Sequence, residues 1–288
     1  MTFKKIKIAV TGSAGFVGSH LVKRLNELDA DIIHLDIKNG IDITDWEQIK
    51  NIGNFDLLFH LAAKLYIPDS YENPLDFYHT NIVSTMNVLE LCRTRKAKII
   101  FTSTYVYGVP QYLPIDENHL IVAFNPYTQS KIICEQLCKS YNRDFDLNVI
   151  IFRPFNIYGN GQNFKFLIPT IINQAKKGRI ILKDPLPKRD FIYIEDIINV
   201  YTKTILYNKT GFEVFNIGSG ISYSVKEIAE TIASNSENTN IEIKFSGERR
   251  QNEVMNTVAD ISKAKKLLGW EPNINLSDGI KYIISGKQ

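Results

Sequence analysis

The sequence predicts a doubly wound parallel α/β sheet with a smaller C-terminal α/β lobe. Through the first half of the chain, short apolar runs alternate with helical patterns. Most of these runs are continuously apolar, as expected of parallel strands that are buried on both faces. After Arg153 the alternation ends and segments rich in Gly, Asn and Pro begin. We expect a main domain of residues 1–155 with about 189–218, and a lobe of about 156–188 and 219–288.

Each element of the first half follows from its own pattern. The predicted strands are Ile6–Val10, Ile32–Leu35, Leu57–Leu61, Lys98–Thr102 and Asn148–Phe152, and the predicted helices are Phe16–Glu27, Leu75–Thr94 and Tyr127–Tyr141.

In the second half the predicted elements are shorter. They are a loop over Asn156–Asn163, a helix over Phe166–Gly178, a strand over Ile180–Lys183, two strands rejoining the main sheet at Phe191–Ile194 and Glu213–Ile217, and a helix from Asp260 to Gly269. Ser224 followed three residues later by Glu227 is typical of a capping box at the start of a helix.

Composition and charge exclude several functional classes. The chain has 34 basic and 31 acidic residues, and this formal charge of +3 is too small to indicate a nucleic-acid or anionic-membrane partner. No apolar run reaches the length of a membrane span, and the five histidines show no metal-ligand spacing. The three cysteines lie outside any CxxC pattern. We therefore expect a reduced, cytoplasmic protein without a metal site.

A glycine-rich turn follows the first predicted strand. Gly12, Gly15 and Gly18 have the spacing GxxGxxG and open the first predicted helix. Gly12 permits a tight turn, Gly15 lets backbone N–H groups approach a pyrophosphate, and Gly18 lets the helix pack closely on the strand. The start of the helix, with Phe16 and Val17, then faces the anion. A turn without a ligand is the alternative, but strand, turn and helix in this order favour a dinucleotide site.

An acidic residue ends the second predicted strand. Asp36 lies 18 residues after Gly18, where a carboxylate accepts hydrogen bonds from the hydroxyls of an adenosine ribose. The same carboxylate repels a 2′-phosphate, so Asp36 favours NAD over NADP. Lys38 lies close enough to soften that preference. A solvated carboxylate at a strand end is the alternative.

A tyrosine and a lysine share one face of a predicted helix. Tyr127 and Lys131 are four residues apart, directly after Pro126. A lysine ammonium beside a phenol stabilises the phenolate and lowers the tyrosine pKa, so that the tyrosine can exchange a proton with a substrate hydroxyl while hydride moves to or from nicotinamide. Ser103 and Thr104 end the fourth predicted strand, at the edge where open α/β sheets bind ligands. Either hydroxyl there is placed to hold the reacting oxygen.

With these motifs the chain resembles the extended short-chain dehydrogenase/reductase superfamily, and within it the NAD-dependent epimerase/dehydratase family of nucleotide-sugar enzymes. The landmarks are Thr11–Gly18, His60–Ala63, Asn81, Ser103–Gly108, Asn125–Lys131, Arg153–Asn156, Arg189–Tyr193, Asn216–Gly218 and Asp260–Trp270. The resemblance implies a Rossmann-type sheet, with the smaller lobe binding the substrate. It also implies that the substrate is a nucleotide-diphosphate sugar, UDP or dTDP linked, and that the setting is one such as polysaccharide synthesis.

The resemblance also assigns roles to individual residues. It implies a catalytic triad of Ser103, Tyr127 and Lys131, with Lys131 also on the nicotinamide ribose. Residues flanking the cofactor would be Asp42, Ile43, Leu61, Ala62, Ala63 and Asn81. Residues on the substrate side would be Thr104, Asn156, Leu167, Arg189, Arg250 and Glu253. Arg250, ten residues before Asp260, is favoured over Arg249 for the diphosphate.

Two departures from the family pattern narrow the reaction. The 4,6-dehydratases carry an Asp-Glu pair where this chain has Thr104 and Tyr105, and the family's decarboxylases usually keep a glutamate at position 105. A 4-epimerase and a 4-keto reductase therefore remain. Only 13 positions separate Asn156 from Pro169, a shorter segment than in many hexose 4-epimerases. That length favours a reductase, such as one forming a 6-deoxy sugar nucleotide, whereas Asp36 favours a retained NAD and an epimerase.

The resemblance extends to assembly. Helices at Leu75–Thr94 and Tyr127–Tyr141 commonly form a four-helix dimer interface in this family, so a homodimer is expected. A non-catalytic dinucleotide-binding regulator on the same fold is a further alternative, although such a protein would be expected to lose Tyr127 and Lys131. The nucleotide base and the sugar do not follow from the sequence.

Overall fold

The computed structural model describes residues 3–4, 6–238, 240–249 and 253–286. The chain forms two compact units. The first comprises Met1–Gly108, Leu120–Pro154 and Val200–Phe215, and the second comprises Val109–His119, Phe155–Asn199 and Asn216–Gln288. Compared with the division expected from the sequence, residues 109–119, 155, 189–199 and 216–218 group with the second unit.

The bounds of the elements match most of the predicted ones to within a few residues. The strands are β1 Lys7–Thr11, β2 Asp31–Leu35, β3 Leu57–His60, β4 Lys98–Thr102, β5 Val149–Pro154, β6 Asn156–Tyr158, β7 Arg179–Leu182, β8 Lys188–Tyr193, β9 Phe212–Ile217, β10 Ser222–Ser224 and β11 Glu242–Phe245. The helices are α1 Phe16–Glu27, α2 Trp46–Ile49, α3 Ile67–Glu72, α4 Pro74–Tyr78, α5 Ser84–Arg95, α6 Pro126–Phe145, α7 Leu167–Lys176, α8 Ile194–Ile205, α9 Val225–Ser234, α10 Ser262–Leu268 and α11 Leu276–Ser285.

The first unit is built on a six-stranded sheet in the order β2-β1-β3-β4-β5-β9. The pairings from β2 to β5 are all parallel, as the continuously apolar strands predict. β3 and β4 are the two central strands of the sheet. All of their residues are buried except the first and last residues of β4. The order reverses at β1, so loops that bind ligands are expected at the carboxyl ends of β1 and its neighbours. The predicted fold class is therefore confirmed.

The predicted helix Leu75–Thr94 contains an irregular turn. Between α4 and α5 the residues His79–Val83 adopt a wider, five-residue turn of π-helix, and Asn81 in this turn is buried. Such turns insert one extra residue into a helix and are frequent at functional sites. The sequence pattern did not indicate the turn because the apolar spacing is nearly continuous through it.

The second unit contains two small sheets. β8 pairs with β6 in parallel and with β10 in antiparallel orientation, and β11 pairs with β7 in parallel. The prediction that Phe191–Ile194 rejoins the main sheet is therefore wrong, whereas β9 does join it. The predicted loop at Asn156–Asn163 is also wrong at its start, because Asn156 and Tyr158 pair with Phe191 and Tyr193. Apolar pattern identifies a strand but does not select its partner.

In the second unit, the helix starts and ends indicated by the sequence are found in the structure. Ser224 and Glu227 form the predicted capping box at the start of α9. The Asp260 carboxylate accepts a hydrogen bond from the Ser262 N–H at 2.8 Å, two residues before the start of α10. α10 is followed by Gly269, whose φ of 57° is in the left-handed region.

Candidate functional site

The glycine-rich turn has the shape of an anion cradle. Gly12 has a φ of +66°, and a Cβ built on Gly18 would lie 2.0 Å from the Gly12 carbonyl oxygen. No side chain of the described residues caps α1, whose N-cap is Gly15, so the amides of its first turn, including those of Phe16 and Val17, are available to an anion. The Ser13 hydroxyl beside them is buried and has no hydrogen-bond partner among the described residues. These features fit a dinucleotide pyrophosphate.

Asp36 joins this turn to the end of β2. One carboxylate oxygen accepts from the Ala14 N–H and the other from the Lys38 N–H, both at 2.9 Å. The Lys38 ammonium donates to the Ala14 carbonyl oxygen at 3.1 Å. Each carboxylate oxygen accepts more than one hydrogen bond, so these contacts hold the turn and leave acceptor capacity for a ribose.

Asp42 and Ile43, expected beside the adenine, are engaged with their own chain. The Asp42 carboxylate accepts from the N–H and the hydroxyl of Thr44 at 2.9 and 2.8 Å. The Ile43 side chain is buried in the hydrophobic core, and its carbonyl oxygen accepts from the Asn87 amide. Contact of either residue with adenine stays a prediction.

The two hydroxyls at the end of β4 have different partners. Thr104 interacts with the Tyr127 phenol and lowers its pKa, against the larger effect of burial. The Ser103 hydroxyl is buried and donates to a carboxylate oxygen of Glu135 at 2.5 Å. The catalytic role of Ser103 and the substrate contact of Thr104 stay predictions.

Tyr127 and Lys131 lie on successive turns of α6, as expected. Asn125 begins this helix by accepting the Thr128 N–H on its side-chain oxygen at 2.7 Å. The Lys131 ammonium lies over the Phe101 ring, 4.2 Å from its centroid. Burial raises the pKa of Tyr127 and lowers the pKa of Lys131. The expected lowering of the tyrosine pKa is thus opposed by burial, and the Thr104 hydrogen bond only partly offsets it.

Glu135 is a residue that sequence reasoning missed. It lies one turn beyond Lys131 on α6 and forms a buried ion pair with Arg153 at the end of β5, with Nη2 and Oε2 2.6 Å apart. Arg153 also donates to the Tyr107 hydroxyl at 3.0 Å. The four-residue interval from Lys131 placed Glu135 on the catalytic face, but neither partner is close in sequence, so no local signal indicated the contact.

Asn81, expected to line the cofactor path, is bonded to protein atoms. Its side-chain oxygen accepts from the Lys64 N–H at 2.8 Å, and its amide nitrogen donates to the Lys64 carbonyl oxygen and the Ser130 hydroxyl. The N–H groups of Leu61 and Ala62 donate to the Thr11 hydroxyl. These residues therefore fix the segment after β3, and the half-buried Ala63 lies in the same segment.

Apart from Thr104, the predicted substrate residues belong to the second unit. The Arg189 guanidinium forms an ion pair with Glu253 and donates to the Val254 carbonyl oxygen at 2.5 Å. The Asn156 amide donates to the Asp190 carbonyl oxygen at 2.9 Å, and the half-buried Leu167 begins α7. Arg189 and Glu253 are thus brought together. Arg250 lies outside the described residues.

Neither a metal site nor a membrane-spanning helix is found among the described residues. Within the described ranges, no cluster of three His, Cys, Asp or Glu side chains is arranged to hold a metal ion. In the same part of the chain, no helix combines the length and apolar character needed to cross a membrane.

The comparison with known proteins decides the family. A model of the NAD-dependent epimerase/dehydratase family matches residues 8–218, well over half of the chain. The chain belongs to this family. The resemblance that the motifs indicated is confirmed, and so is the enzyme class: an NAD(P)-dependent nucleotide-sugar enzyme.

Relatives within the family have different reactions. A putative UDP-glucose 4-epimerase from Methanocaldococcus jannaschii is 36% identical over 96% of this chain and 97% of its own length. A GDP-6-deoxy-D-mannose reductase from Pseudomonas aeruginosa is 26% identical over 97% of this chain and 96% of its own. The crystal structure of a UDP-glucose 4-epimerase from Thermotoga maritima with UDP-glucose is 26% identical, covers 97% of this chain and 98% of that one, and has a TM-score of 0.90.

Proposed function

We propose that this enzyme is a 4-epimerase of UDP- or dTDP-linked hexoses that works through a 4-keto intermediate with a retained NAD. One arrangement carries the proposal: Tyr127 and Lys131 lie one turn apart on α6, and the Thr104 hydroxyl at the end of β4 interacts with the Tyr127 phenol and opposes the effect of burial on its pKa. Two adjoining hydroxyls are suited to binding one sugar hydroxyl and moving its proton.

The roles follow from this arrangement. NAD, when bound, supplies hydride acceptance from C4 of the sugar and hydride return to it. Tyr127 takes the proton of the 4-hydroxyl and later gives it back, and Thr104 donates a hydrogen bond that favours the phenolate. Because burial raises the pKa of Tyr127, its phenolate needs a nearby cation, and Lys131 provides one.

The neighbouring positions lack the groups that other reactions of the family need. Positions 104 and 105 are threonine and tyrosine, and neither is a carboxylate. The Tyr105 hydroxyl donates to the Gly108 carbonyl oxygen at 2.5 Å, so it is held away from acid–base work on a sugar. This supports chemistry confined to C4 rather than elimination or decarboxylation.

The choice of NAD and of a UDP or dTDP sugar is also part of the proposal. Asp36 at the end of β2 places a carboxylate where a 2′-phosphate of NADP would be repelled. Arg189 and Glu253, with Arg250, Asn156 and Leu167, are the proposed substrate residues. The similarity to the putative UDP-glucose 4-epimerase of M. jannaschii and to the UDP-glucose 4-epimerase of T. maritima supports a UDP-linked sugar. Homodimer formation through α5 and α6 and a cytoplasmic location stay predictions.

The test begins with the purified protein. It is denatured, and the released nicotinamide nucleotide is quantified; near-stoichiometric NAD is expected. UDP- and dTDP-hexoses are then incubated with the enzyme and inversion at C4 is followed by NMR. Tyr127→Phe serves as the control and is expected to retain NAD and lose at least about 10²-fold in turnover. Undiminished turnover of Tyr127→Phe, or inversion at another carbon, would overturn the proposal.

A 4-keto reductase is the second candidate, and one contact favours it. The Lys38 ammonium lies beside the glycine-rich turn, on the Ala14 carbonyl oxygen, where a cation would suit the 2′-phosphate of an exchangeable NADPH. In this case the denatured protein releases no nucleotide. Reduction of a 4-keto-6-deoxy sugar nucleotide by NADH or NADPH, without C4 inversion, would establish the reductase.

A further inference from the structure

A buried row of polar side chains runs from the glycine-rich turn to the catalytic helix. It begins at Thr11, the last residue of β1, passes through His60 at the end of β3, and continues through Thr85 and Asn81 to Ser130 on α6. All five residues are at most 2% exposed. Buried polar groups rarely remain without partners, so each member constrains the next.

The contacts at Thr11 fix where its single proton goes. The Thr11 hydroxyl oxygen accepts the N–H groups of Leu61 and Ala62 at 3.0 and 3.2 Å. Its own proton is therefore donated to Nδ1 of His60, 2.8 Å away. His60 must then carry its proton on Nε2, which is 3.0 Å from the Thr85 hydroxyl.

The row continues in one direction from there. The Thr85 hydroxyl, having accepted from His60, donates to the main-chain carbonyl oxygen of Asn81 at 2.7 Å and also lies 3.2 Å from the Cys134 sulfur. The Asn81 side chain donates to the Ser130 hydroxyl at 2.8 Å, and Ser130 donates to the carbonyl oxygen of Tyr127 at 2.7 Å. The row therefore runs from the turn towards Tyr127, partly through the main chain of Asn81.

His60 is held neutral by the same surroundings. Burial, and to a smaller extent the charge of Lys131, lower its pKa to about 3. A protonated ring would offer a second N–H to a Thr11 hydroxyl whose proton already points at it. The ring therefore keeps one donor and one acceptor throughout the neutral pH range.

We propose that His60 is a positioning residue that couples occupation of the glycine-rich turn to the placement of Tyr127 on α6. The inference rests on the dinucleotide binding at this turn that the proposed function requires. An anion that orders residues 12–18 orders Thr11 with them, and His60 transmits that order because breaking either of its hydrogen bonds leaves a buried ring nitrogen unpaired. His60 itself does not touch the reacting atoms.

Hydrogen exchange with ADP as the probe tests this coupling. ADP carries the adenosine and both phosphates, but it lacks the nicotinamide ribose that would contact Tyr127 or Lys131 directly. In the wild type from which the bound NAD has been removed, ADP is expected to slow exchange in residues 11–18 and also in residues 126–134, the latter by about fivefold or more. His60→Leu should keep the slowing at the turn and lose it in α6.

Matched variants separate coupling from loss of stability. His60→Gln retains one acceptor and one donor and is expected to restore at least part of the slowing in α6. Thr102→Val removes a different buried hydrogen bond of the same sheet, to the Tyr201 hydroxyl at 2.7 Å, and should keep the full effect. If His60→Leu does not fold, Thr85→Val against Thr85→Ser tests the same link, with loss in the first and recovery in the second.

The outcomes distinguish the two proposals. If ADP binds the wild type and slows exchange only at the turn, the coupling is overturned and the dinucleotide site stands. Slowing in α6 that persists in His60→Leu or Thr85→Val overturns the role of His60. If the wild type binds neither ADP nor NAD, the dinucleotide site fails, and the coupling fails with it.

Discussion

Ser103 and Glu135 are joined by a hydrogen bond of 2.5 Å that crosses from the end of β4 to the third turn of α6. The adjacent Thr104 interacts instead with the Tyr127 phenol. The two neighbouring hydroxyls thus have different partners: Ser103 joins the strand to α6 through Glu135, and Thr104 lies at Tyr127, the proposed proton-transfer residue.

This division gives a prediction for catalysis. Thr104→Val keeps the shape of the side chain and removes the hydroxyl, so turnover should fall by about 10²-fold, the lower range for loss of proton-transfer assistance. Ser103→Ala should lose much less turnover and show its effect mainly on stability. Initial rates and urea denaturation of both variants provide the comparison. If Ser103→Ala suffers the larger loss in turnover, the catalytic hydroxyl is Ser103.

Breaking the buried ion pair should destabilise the first unit. Glu135→Gln leaves the Arg153 guanidinium buried without its counter-charge, and both side chains are less than 10% exposed. We expect a loss of about 3–5 kcal/mol in the free energy of unfolding. Glu27→Gln breaks the exposed pair with Arg24 and should cost less than about 1 kcal/mol. Equal losses in the two variants, measured by urea denaturation, would contradict the assignment.

The neutral His60 makes stability depend on pH. Its pKa is lowered to about 3 in the folded chain, against about 6.5 when unfolded. Between these values only the unfolded chain binds the proton, so stability is lost as the pH falls below about 6.5, at up to about 1.4 kcal/mol per pH unit. His60→Gln should show a shallower decline between pH 6.5 and 5, and Thr102→Val should keep the wild-type slope. The free energy of unfolding at stepped pH values measures both.

The close packing of Gly18 predicts a steric effect on cofactor binding. A methyl group there would lie 2.0 Å from the Gly12 carbonyl oxygen, so Gly18→Ala forces the turn open. NADH affinity, followed by fluorescence titration, should fall by at least about tenfold, which corresponds to about 1.4 kcal/mol. Gly53→Ala is the control, since an added Cβ at Gly53 meets no atom within 4 Å. An unchanged NADH affinity in Gly18→Ala would show that the turn does not hold the cofactor.

Asp36 and Lys38 should have opposite effects on cofactor choice. Asp36→Asn removes the charge that repels a 2′-phosphate, and the ratio of NADPH to NADH affinity should rise by about tenfold, or 1.4 kcal/mol. Lys38→Met removes the nearby ammonium and should lower the same ratio. Titration of each variant with both nucleotides tests the pair. A ratio that does not change in Asp36→Asn would remove the physical basis for preferring NAD.

The elements that the sequence predicted best are those whose pattern is local. α1 and β4 have the predicted bounds, because a glycine turn, an amphipathic period and a five-residue apolar run each specify one local structure. The capping box of Ser224 and Glu227 belongs to the same class, since both partners lie within one helical turn.

The misses share a different cause, which is dependence on residues far away in the chain. Nothing near Ser103 indicates that its hydroxyl would be taken by Glu135, 32 residues later. Nothing near Asn81 indicates that its amide would donate to Ser130, 49 residues away, and its place beside the cofactor stays a prediction. The pairing of β8 with β6 and β10 likewise depends on the second unit as a whole.

Tyr127, Lys131 and Glu135 follow one another at intervals of four residues along α6, about 6 Å apart. The proposed proton-transfer residue, the proposed cation beside it and the anchor to the neighbouring strands thus occupy successive turns of one helix. One residue inserted between Lys131 and Glu135 would rotate Glu135 by about 100° around the axis, away from Ser103 and Arg153. A substitution along α6 therefore alters one contact, whereas an insertion would break both contacts of Glu135 at once.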